Sequence, residues 1–289
     1  MAKLTTNAKF DLAGSPDWIA IDKDVWVSNK PKNNVSRMNG KTVLQTITGF
    51  DKPCSGLAIG FGSLWVPNCG SQSLSRVDLK TGKITKTISV GIADSEGGLS
   101  TGAGSVWLLT DKKSTLARID PKTDSIVSTL ALPEGCYNTA FGFNSVWISC
   151  TKQNTVVRVD PQSNAILSTI PVGPKPRFLT VGEGGVWTLN QGDGTITRIS
   201  AADNKVAATI AVGIPGGGGD ISAGEGSVWA TSFGFPLSRI DPATNHVVQQ
   251  FVGEGGDAVR AGHGQIWLSN YKSGVEWKLD PKVIAVIKP

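Results

Sequence analysis

Histidine, the side chain that most often acts as a general base, is scarce in this sequence of 289 residues. It contains two histidines, His246 and His263. Ser–His–Asp and Cys–His hydrolases, and histidine-rich zinc sites, all need an imidazole within the site. The position of these two residues in the fold therefore decides whether such chemistry is available.

Acidic side chains offer a second kind of chemistry. Carboxylate oxygens bind Mg²⁺ or Ca²⁺, and two close carboxylates can act as general acid and general base. Nothing in the linear order shows that the acidic residues converge, so a solvated rim is the alternative interpretation. We assign no cofactor, and Mg²⁺ or Ca²⁺ is the candidate metal. The acidic residues concerned are Asp17, Asp94, Glu96, Asp220 and Asp257.

The elements that position these residues follow from a repeated tryptophan. With 35 Gly and 15 Pro, the composition excludes a helical bundle. An apolar residue followed by Trp recurs seven times, 38 to 42 residues apart, and a basic residue follows ten or eleven positions later. Such a regular period is typical of repeat architectures. The tryptophans are Trp26, Trp65, Trp107, Trp147, Trp187, Trp229 and Trp267.

Each repeat divides into four short strands separated by turns. In the second copy they are predicted at 55–59, 63–67, 74–79 and 83–90, and they are rich in Thr, Val and Ile. Four strands in each of seven copies predict an all-β, seven-bladed propeller, with the Trp packing blade against blade. The predicted blades are 12–50, 51–92, 93–133, 134–174, 175–214, 215–253 and 254–289.

Ring closure is expected from the first residues of the chain. Residues 3–12 alternate apolar and polar side chains and precede the first inner strand, so we expect them to pair into the last blade. Residues 283–287 are a second candidate for that blade, and the sequence leaves open which segment occupies which position.

Blade topology assigns residues to the two ends of the channel. The loops entering strand 1 and joining strands 2 and 3 share one end, here called the top, where binding loops on a rigid scaffold are expected. His246 and His263 lie in turns at the opposite end, the bottom. We therefore predict a ligand at the top. The candidate ligand-binding residues are Asp17, Trp18, Tyr137, Asn138, Arg177, Phe178, Asp220, Asp257 and Arg260.

Arg260 departs from the repeat. At its position the other copies have a small residue: Ala20, Ala58, Ser100, Ala140, Thr180 and Ser222. The guanidinium could contact an anionic ligand with two donors, or it could pair internally with Asp220 or Asp257. The sequence leaves both interpretations open.

The four cysteines have matched positions in the second and fourth copies. Cys54 and Cys136 precede the top of strand 1, and Cys69 and Cys150 follow the top of strand 2. Because these strands form a hairpin, we predict the disulfides Cys54–Cys69 and Cys136–Cys150. Disulfides favour an oxidising compartment, periplasmic or secreted.

The remaining features bear on the cellular location of the protein and on its expected partners. No apolar run is long enough to span a membrane. Residues 1–12 lack the apolar segment of a signal peptide, so either a signal was removed, which we expect, or the protein is cytosolic with reduced cysteines. The net charge of +5 comes without basic clusters, so nucleic acid is not the expected partner, and a monomer is expected.

Several segments resemble a known family. Residues 25–29 and 266–270, with 158–161 and 166–172, resemble the YVTN-type propeller repeat, and the glycine-flanked turn before each Trp is similar to repeats of the virginiamycin B lyase (streptogramin lyase) family. The resemblance covers 17–289 and implies the propeller fold. It also implies a choice among lyases, lactonase-like enzymes and binding proteins.

The sequence departs from the lyase at the residue three positions after each Trp. The resemblance implies a Glu there, with histidines and Mg²⁺ at the top face. This chain has no Glu at the position, which argues against lyase chemistry. We therefore predict an extracytoplasmic propeller that binds a small-molecule or peptidic ligand, and a lyase-like or lactonase-like enzyme with a carboxylate-bound metal is the alternative. The residues present are Asn29, Asn68, Thr110, Cys150, Asn190, Ser232 and Asn270.

Overall fold

The computed structural model describes residues 2–4, 6–54, 56–92, 98–110, 114–213, 218–232, 235–253 and 255–282. These residues form seven sheets, each built on four antiparallel strands and arranged as the blades of a propeller, which confirms the predicted fold class. Asp94, Glu96 and 283–287, to which the sequence analysis assigned possible roles, lie outside the described residues.

Each blade runs from an inner strand 1 to an outer strand 4. Blade 1 contains Pro16–Ile21, Val25–Asn29, Asn34–Met38 and Val43–Thr48, and blade 2 contains Ala58–Gly60, Ser63–Asn68, Ser73–Asp78 and Ile84–Ser89. Blade 3 contains Leu99–Gly102, Ser105–Thr110, Thr115–Asp120 and Ser125–Ala131. Blade 4 contains Cys136–Gly142, Ser145–Cys150, Thr155–Asp160 and Ala165–Pro171. A single turn of 3₁₀ helix, Lys30–Lys32, follows strand 2 of blade 1.

The remaining blades repeat the pattern. Blades 5 and 6 contain Pro176–Gly182, Gly185–Asn190, Thr195–Ser200 and Lys205–Ala211, and then Ile221–Gly224, Ser227–Ser232, Phe235–Asp241 and His246–Val252. Blade 7 contains Val259–Gly262, Gln265–Asn270 and Val275–Leu279. No helix in the described part of the chain is long and apolar enough to cross a membrane.

The repeated basic residue packs on the repeated tryptophan of its own blade and donates hydrogen bonds to the next blade. In blade 4, the Arg158 guanidinium lies 4.8 Å from the Trp147 ring and its Nε donates to Ser145 Oγ at 2.8 Å. Its Nη1 donates to the Ala201 carbonyl and to Asn204 Oδ1 in the outer turn of blade 5, at 2.8 and 2.7 Å. The fully buried Trp147 ring also belongs to one apolar cluster with side chains of blade 5, so the repeat encodes packing between blades.

The N-terminal residues complete the ring. Ala8–Asp11 pairs antiparallel with Val275–Leu279 and supplies the outer strand of blade 7; it is called the closing strand below. Ala2–Lys3 pairs in parallel with the outer strand of blade 6, which gives that blade a fifth strand. The sequence did not predict this parallel pairing, because two residues contain too short a pattern to show it.

Candidate functional site

Two aromatic side chains meet in the central channel. Trp18 comes from strand 1 of blade 1 and Phe178 from strand 1 of blade 5, and their rings contact edge to face at 5.6 Å between centroids. Because blades 1 and 5 are not neighbours in the ring, the contact crosses the channel. Both residues are 3% exposed. The Tyr137 ring of blade 4 contacts Phe178 at 6.0 Å, so three predicted residues form one aromatic cluster, called the aromatic floor below.

Arg177 adds a positive charge to the aromatic floor. Its guanidinium lies 4.6 Å from the Tyr137 ring centroid and 5.2 Å from that of Phe178. Its Nη2 also donates a hydrogen bond to the Tyr137 hydroxyl at 2.6 Å. Cation–π contacts of this kind hold a guanidinium against a ring face. The two adjacent residues of strand 1, Arg177 and Phe178, therefore both contribute to the same cluster.

Arg260 pairs internally with Asp220, which is one of the alternatives that the sequence left open. Its Nη1 forms an ion pair with Asp220 Oδ2 on the neighbouring blade, and its guanidinium lies 5.7 Å from the Trp18 ring. Asp220 Oδ1 also accepts the Ile221 N–H at 2.8 Å, and Oδ2 accepts the Val259 N–H at 3.3 Å. Arg260 is thus paired internally and also touches the aromatic floor.

The ionisation of Asp220 is set by two opposing causes. Burial raises the pKa of this carboxyl above its ordinary value, while the Arg260 charge and the two backbone N–H donors lower it. Desolvation is the larger effect, as expected for a charge removed from water. The carboxylate consequently depends on Arg260 for its stabilisation.

The other predicted residues lie around this cluster. Asn138 is 7% exposed and joins two blades, because its Oδ1 accepts the Leu179 N–H at 3.3 Å. The Asp257 carbonyl accepts a hydrogen bond from the Thr231 hydroxyl of blade 6. Asp17 and Asp257 are half-buried at the top ends of blades 1 and 7. Among the described residues there is no group of three or more His, Cys, Asp or Glu side chains that could hold a metal ion.

One buried acid was missed. Glu276, in strand 3 of blade 7, is completely buried, and burial followed by the nearby Asp257 carboxylate raises its pKa well above the ordinary value. The sequence signal was available: two positions before the basic residue, every other copy has Val, Leu or Ile. The predicted site residues lie in the top loops and in strand 1, whereas Glu276 lies in strand 3, where a ligand was not expected.

The residues three positions after the repeated Trp, where the lyase resemblance implies a glutamate, have structural roles here. Asn68 Nδ2 donates to Ser73 Oγ and Ser75 Oγ, at 3.2 and 2.8 Å. Asn190 makes the same pair of bonds to two threonine hydroxyls of its own blade. Cys150 at this position is in a disulfide. The side chains of these three copies connect strands within their own blades.

The histidines and cysteines lie where the sequence predicted. His263 is in the turn between strands 1 and 2, and His246 begins strand 4 opposite Asp241, so both belong to the bottom end. The disulfides are Cys54–Cys69 and Cys136–Cys150, with sequence separations of 15 and 14. Each connects the top of strand 1 to the top of strand 2 in its blade.

Comparison with known proteins identifies the architecture. No family model and no curated protein sequence matches the chain. The fold is similar to a catalytically inactive virginiamycin B lyase from Staphylococcus aureus solved with quinupristin, at 18% identity and a TM-score of 0.81, covering 94% of this chain and 97% of the other. A streptogramin B lyase structure matches at 17% identity and a TM-score of 0.81, covering 94% and 96%. U3-55K is also similar, at 12% identity and a TM-score of 0.75, covering 93% and 92%.

These similarities establish the class of the molecule. The chain is a seven-bladed β-propeller with the fold of virginiamycin B lyase, as the sequence resemblance implied. Identities below 20% show the shared fold and not a shared activity.

Proposed function

We propose that this propeller works outside the cytoplasm and binds a small-molecule or peptidic ligand at the top of the central channel, over the aromatic floor. The proposal rests mainly on the cross-channel contact of Trp18 and Phe178. This contact places aromatic side chains inside the channel, where a ligand entering from the top would meet them. Trp18 and Phe178 are almost fully buried, so the accessible part of the floor is the half-buried Tyr137 ring and the Arg177 guanidinium. An aromatic ring beside a guanidinium suits a ligand with both apolar and polar groups.

The chemistry of the floor supports binding. Trp18 Nε1 is buried and has no hydrogen-bond acceptor among the described residues, although buried indoles usually have one. A ligand carbonyl would supply an acceptor if it displaced a neighbouring side chain of the floor, because this atom is closed to solvent. The two disulfides support the extracytoplasmic location, since such bonds persist in oxidising compartments.

Binding is tested with quinupristin, the ligand of the similar lyase structure, and with a tripeptide library. We expect at least one probe to raise the melting temperature of the wild-type protein. Tyr137→Ala removes a ring of the floor and should weaken that probe at least tenfold, which corresponds to about 1.4 kcal/mol. Phe143→Ala is the matched control, because Phe143 is an exposed aromatic residue at the bottom of the same blade.

Two results would contradict the proposal. One is that no probe stabilises the wild-type protein. The other is that Tyr137→Ala and Phe143→Ala bind an active probe equally well, which would place the site away from the aromatic floor.

The similarity to the lyase structures supports a second candidate, a lyase-like or lactonase-like enzyme with a carboxylate-bound metal. Asp17 and Asp257 are the described carboxylates that remain candidates, because Asp220 is paired with Arg260. The test is chromatography of quinupristin, and of a lactone panel, after incubation with Mg²⁺ or with EDTA. Conversion that requires Mg²⁺ and is lost in Asp257→Asn would favour the enzyme, whereas unchanged compounds favour binding alone.

A further inference from the structure

Glu276 occupies a position that is apolar in every other blade. The equivalent residues pack in the interior between blades and are fully buried. A carboxyl group there lacks the partners that a buried charge normally requires. Both of its oxygens are buried without a hydrogen-bond partner among the described residues. The equivalent residues are Val35, Leu74, Leu116, Val156, Ile196 and Leu237.

The side chain lies in the seam where the ring is closed. Glu276 is in register with Ser269 on one side and with Phe10 of the closing strand on the other, so the three side chains share one face of blade 7. On that face the Phe10 ring contacts Trp267 at 5.6 Å. Phe10 and Trp267 belong to one apolar cluster with Val27 and other residues of blade 1. Glu276 therefore adjoins the contact that holds the closing strand.

The charges around this seam do not neutralise a carboxylate. The charge that acts on Glu276 most directly is the like charge of Asp257. Lys278, two residues along the same face, donates its Nζ to the Gly40 carbonyl at 3.2 Å. On the closing strand, Lys9 lies on the opposite face, with its Nζ 5.0 Å from the Trp277 ring, and Asp11 shares that face.

The strands of blade 1 supply no neutralising cation either, and its Lys30 and Lys32 are exposed to solvent. Its strand 1 contributes one titratable residue, Asp17, and its strand 2 contributes none. Arg37 on strand 3 is paired with Asp24 at 2.6 Å. A negative charge on Glu276 would therefore be buried between apolar side chains and acidic neighbours.

We propose that Glu276 is a pH-sensitive latch of the ring: the protonated carboxyl keeps the closing strand Ala8–Asp11 in place, and loss of its proton releases that strand. The direction follows from linkage. Because burial and Asp257 raise the pKa of Glu276 in the closed ring, the stabilisation is complete below the ordinary pKa of a glutamate. It is lost as the pH rises toward the raised value.

Hydrogen exchange of the closing strand tests the latch. Exchange is measured by mass spectrometry from pH 5 to pH 9, with times corrected for the intrinsic dependence of exchange on pH. In the wild-type protein we expect the opening equilibrium of Ala8–Asp11 to rise by up to about tenfold per pH unit until the raised pKa is reached. Ser145–Cys150 of blade 4 is the internal reference and should remain protected.

Variants separate the proton of Glu276 from other causes. Glu276→Gln removes the titration and should make protection independent of pH. Glu276→Leu restores the apolar residue type of the other blades. It should also make protection independent of pH, and it replaces Glu276→Gln in the test if that variant does not fold. Asp257→Asn removes the like charge, so the rise should end at a lower pH and be smaller in total. Glu134→Gln, at an exposed carboxylate paired with Lys152, should behave as the wild type.

Three outcomes would overturn the latch. The first is wild-type protection that does not change with pH, and the second is a change that persists in both Glu276 variants. The third is recovery of protection at high pH on addition of Mg²⁺ or Ca²⁺, which would identify a cation and not a proton as the partner of Glu276.

Discussion

At the residue scale, the ion pair of Arg260 and Asp220 illustrates how an exception to the repeat is accommodated. Arg260 replaces a small residue, and the neighbouring blade supplies the carboxylate that pairs with it. The Asp220 side chain is 4% exposed and that of Arg260 is 26% exposed. Asp220 therefore loses more hydration than Arg260 and depends more strongly on the pair.

Removal of the arginine should be costly. In Arg260→Ala, Asp220 would remain buried without its counter-charge, so we expect a loss of roughly 3 kcal/mol in the free energy of unfolding, measured with urea. The double variant Asp220→Asn/Arg260→Ala should recover part of that loss. Lys152→Ala breaks a pair whose side chains are 60% and 71% exposed, and it should change stability by less than about 1 kcal/mol. Equal effects of the two alanine variants would contradict this account.

Some of these residues could be predicted from sequence and others could not. Arg260 and Asp220 were recognised as candidates because the repeat gives each residue a blade and an end. Their pairing stayed open, since two acidic residues were equally placed in the linear sequence. The contact between Trp18 and Phe178 was not predicted, because no sequence pattern measures the distance between blades 1 and 5 across the channel.

At the element scale, the disulfides were predicted because a hairpin has a fixed register. Cys136 and Cys150 are register partners at the top of blade 4. Near Cys54 and Cys69 the two segments are joined by an isolated bridge, Pro53–Asn68, and by backbone hydrogen bonds from the Cys54 and Cys69 N–H groups, at 3.3 and 3.0 Å. The described strand 1 of blade 2 begins at Ala58, three residues later than predicted, so this disulfide lies beyond the end of the regular strand.

The pairing is checked by mass spectrometry after alkylation. We expect none of the four cysteines to be alkylated before reduction and all four afterwards. Replacing Cys136 and Cys150 with Ser should lower the free energy of unfolding by roughly 3 kcal/mol, since the bond closes a loop with a sequence separation of 14. Alkylation of all four without reductant would remove the support for an oxidising compartment.

At the scale of the whole molecule, the turns between strands 3 and 4 make the stability of the fold decrease at acidic pH. Hydrogen bonds from the turns lower the pKa of Asp78, Asp160 and Asp241. For a lowered pKa, the stabilisation is present above the ordinary value and is lost as the pH falls through the lowered one. The effect has the opposite sign to that of Glu276.

Blade 1 provides a neutral control for this effect. Asn39 Oδ1 accepts the N–H groups of Lys41 and Thr42, at 3.0 and 2.9 Å, as the aspartates of other blades do. We expect Asp160→Ala to lower the melting temperature more at pH 6 than at pH 3. Asn39→Ala should lower it similarly at both values. A loss in Asp160→Ala that is the same at pH 3 and pH 6 would show that its charge is not involved.

The count of blades followed from the spacing of the tryptophans, and the way in which the ring closes followed from alternation near the N-terminus. The contact of Trp18 with Phe178 adds a connection that the order of the blades does not contain. In an open array of repeats, each unit touches only its neighbours, and unfolding can proceed from one end. Here the contact joins blade 1 to blade 5, four blades later in the chain. A molecule whose ring has opened between blades 7 and 1 would therefore still be connected across the channel, and the blades should unfold cooperatively.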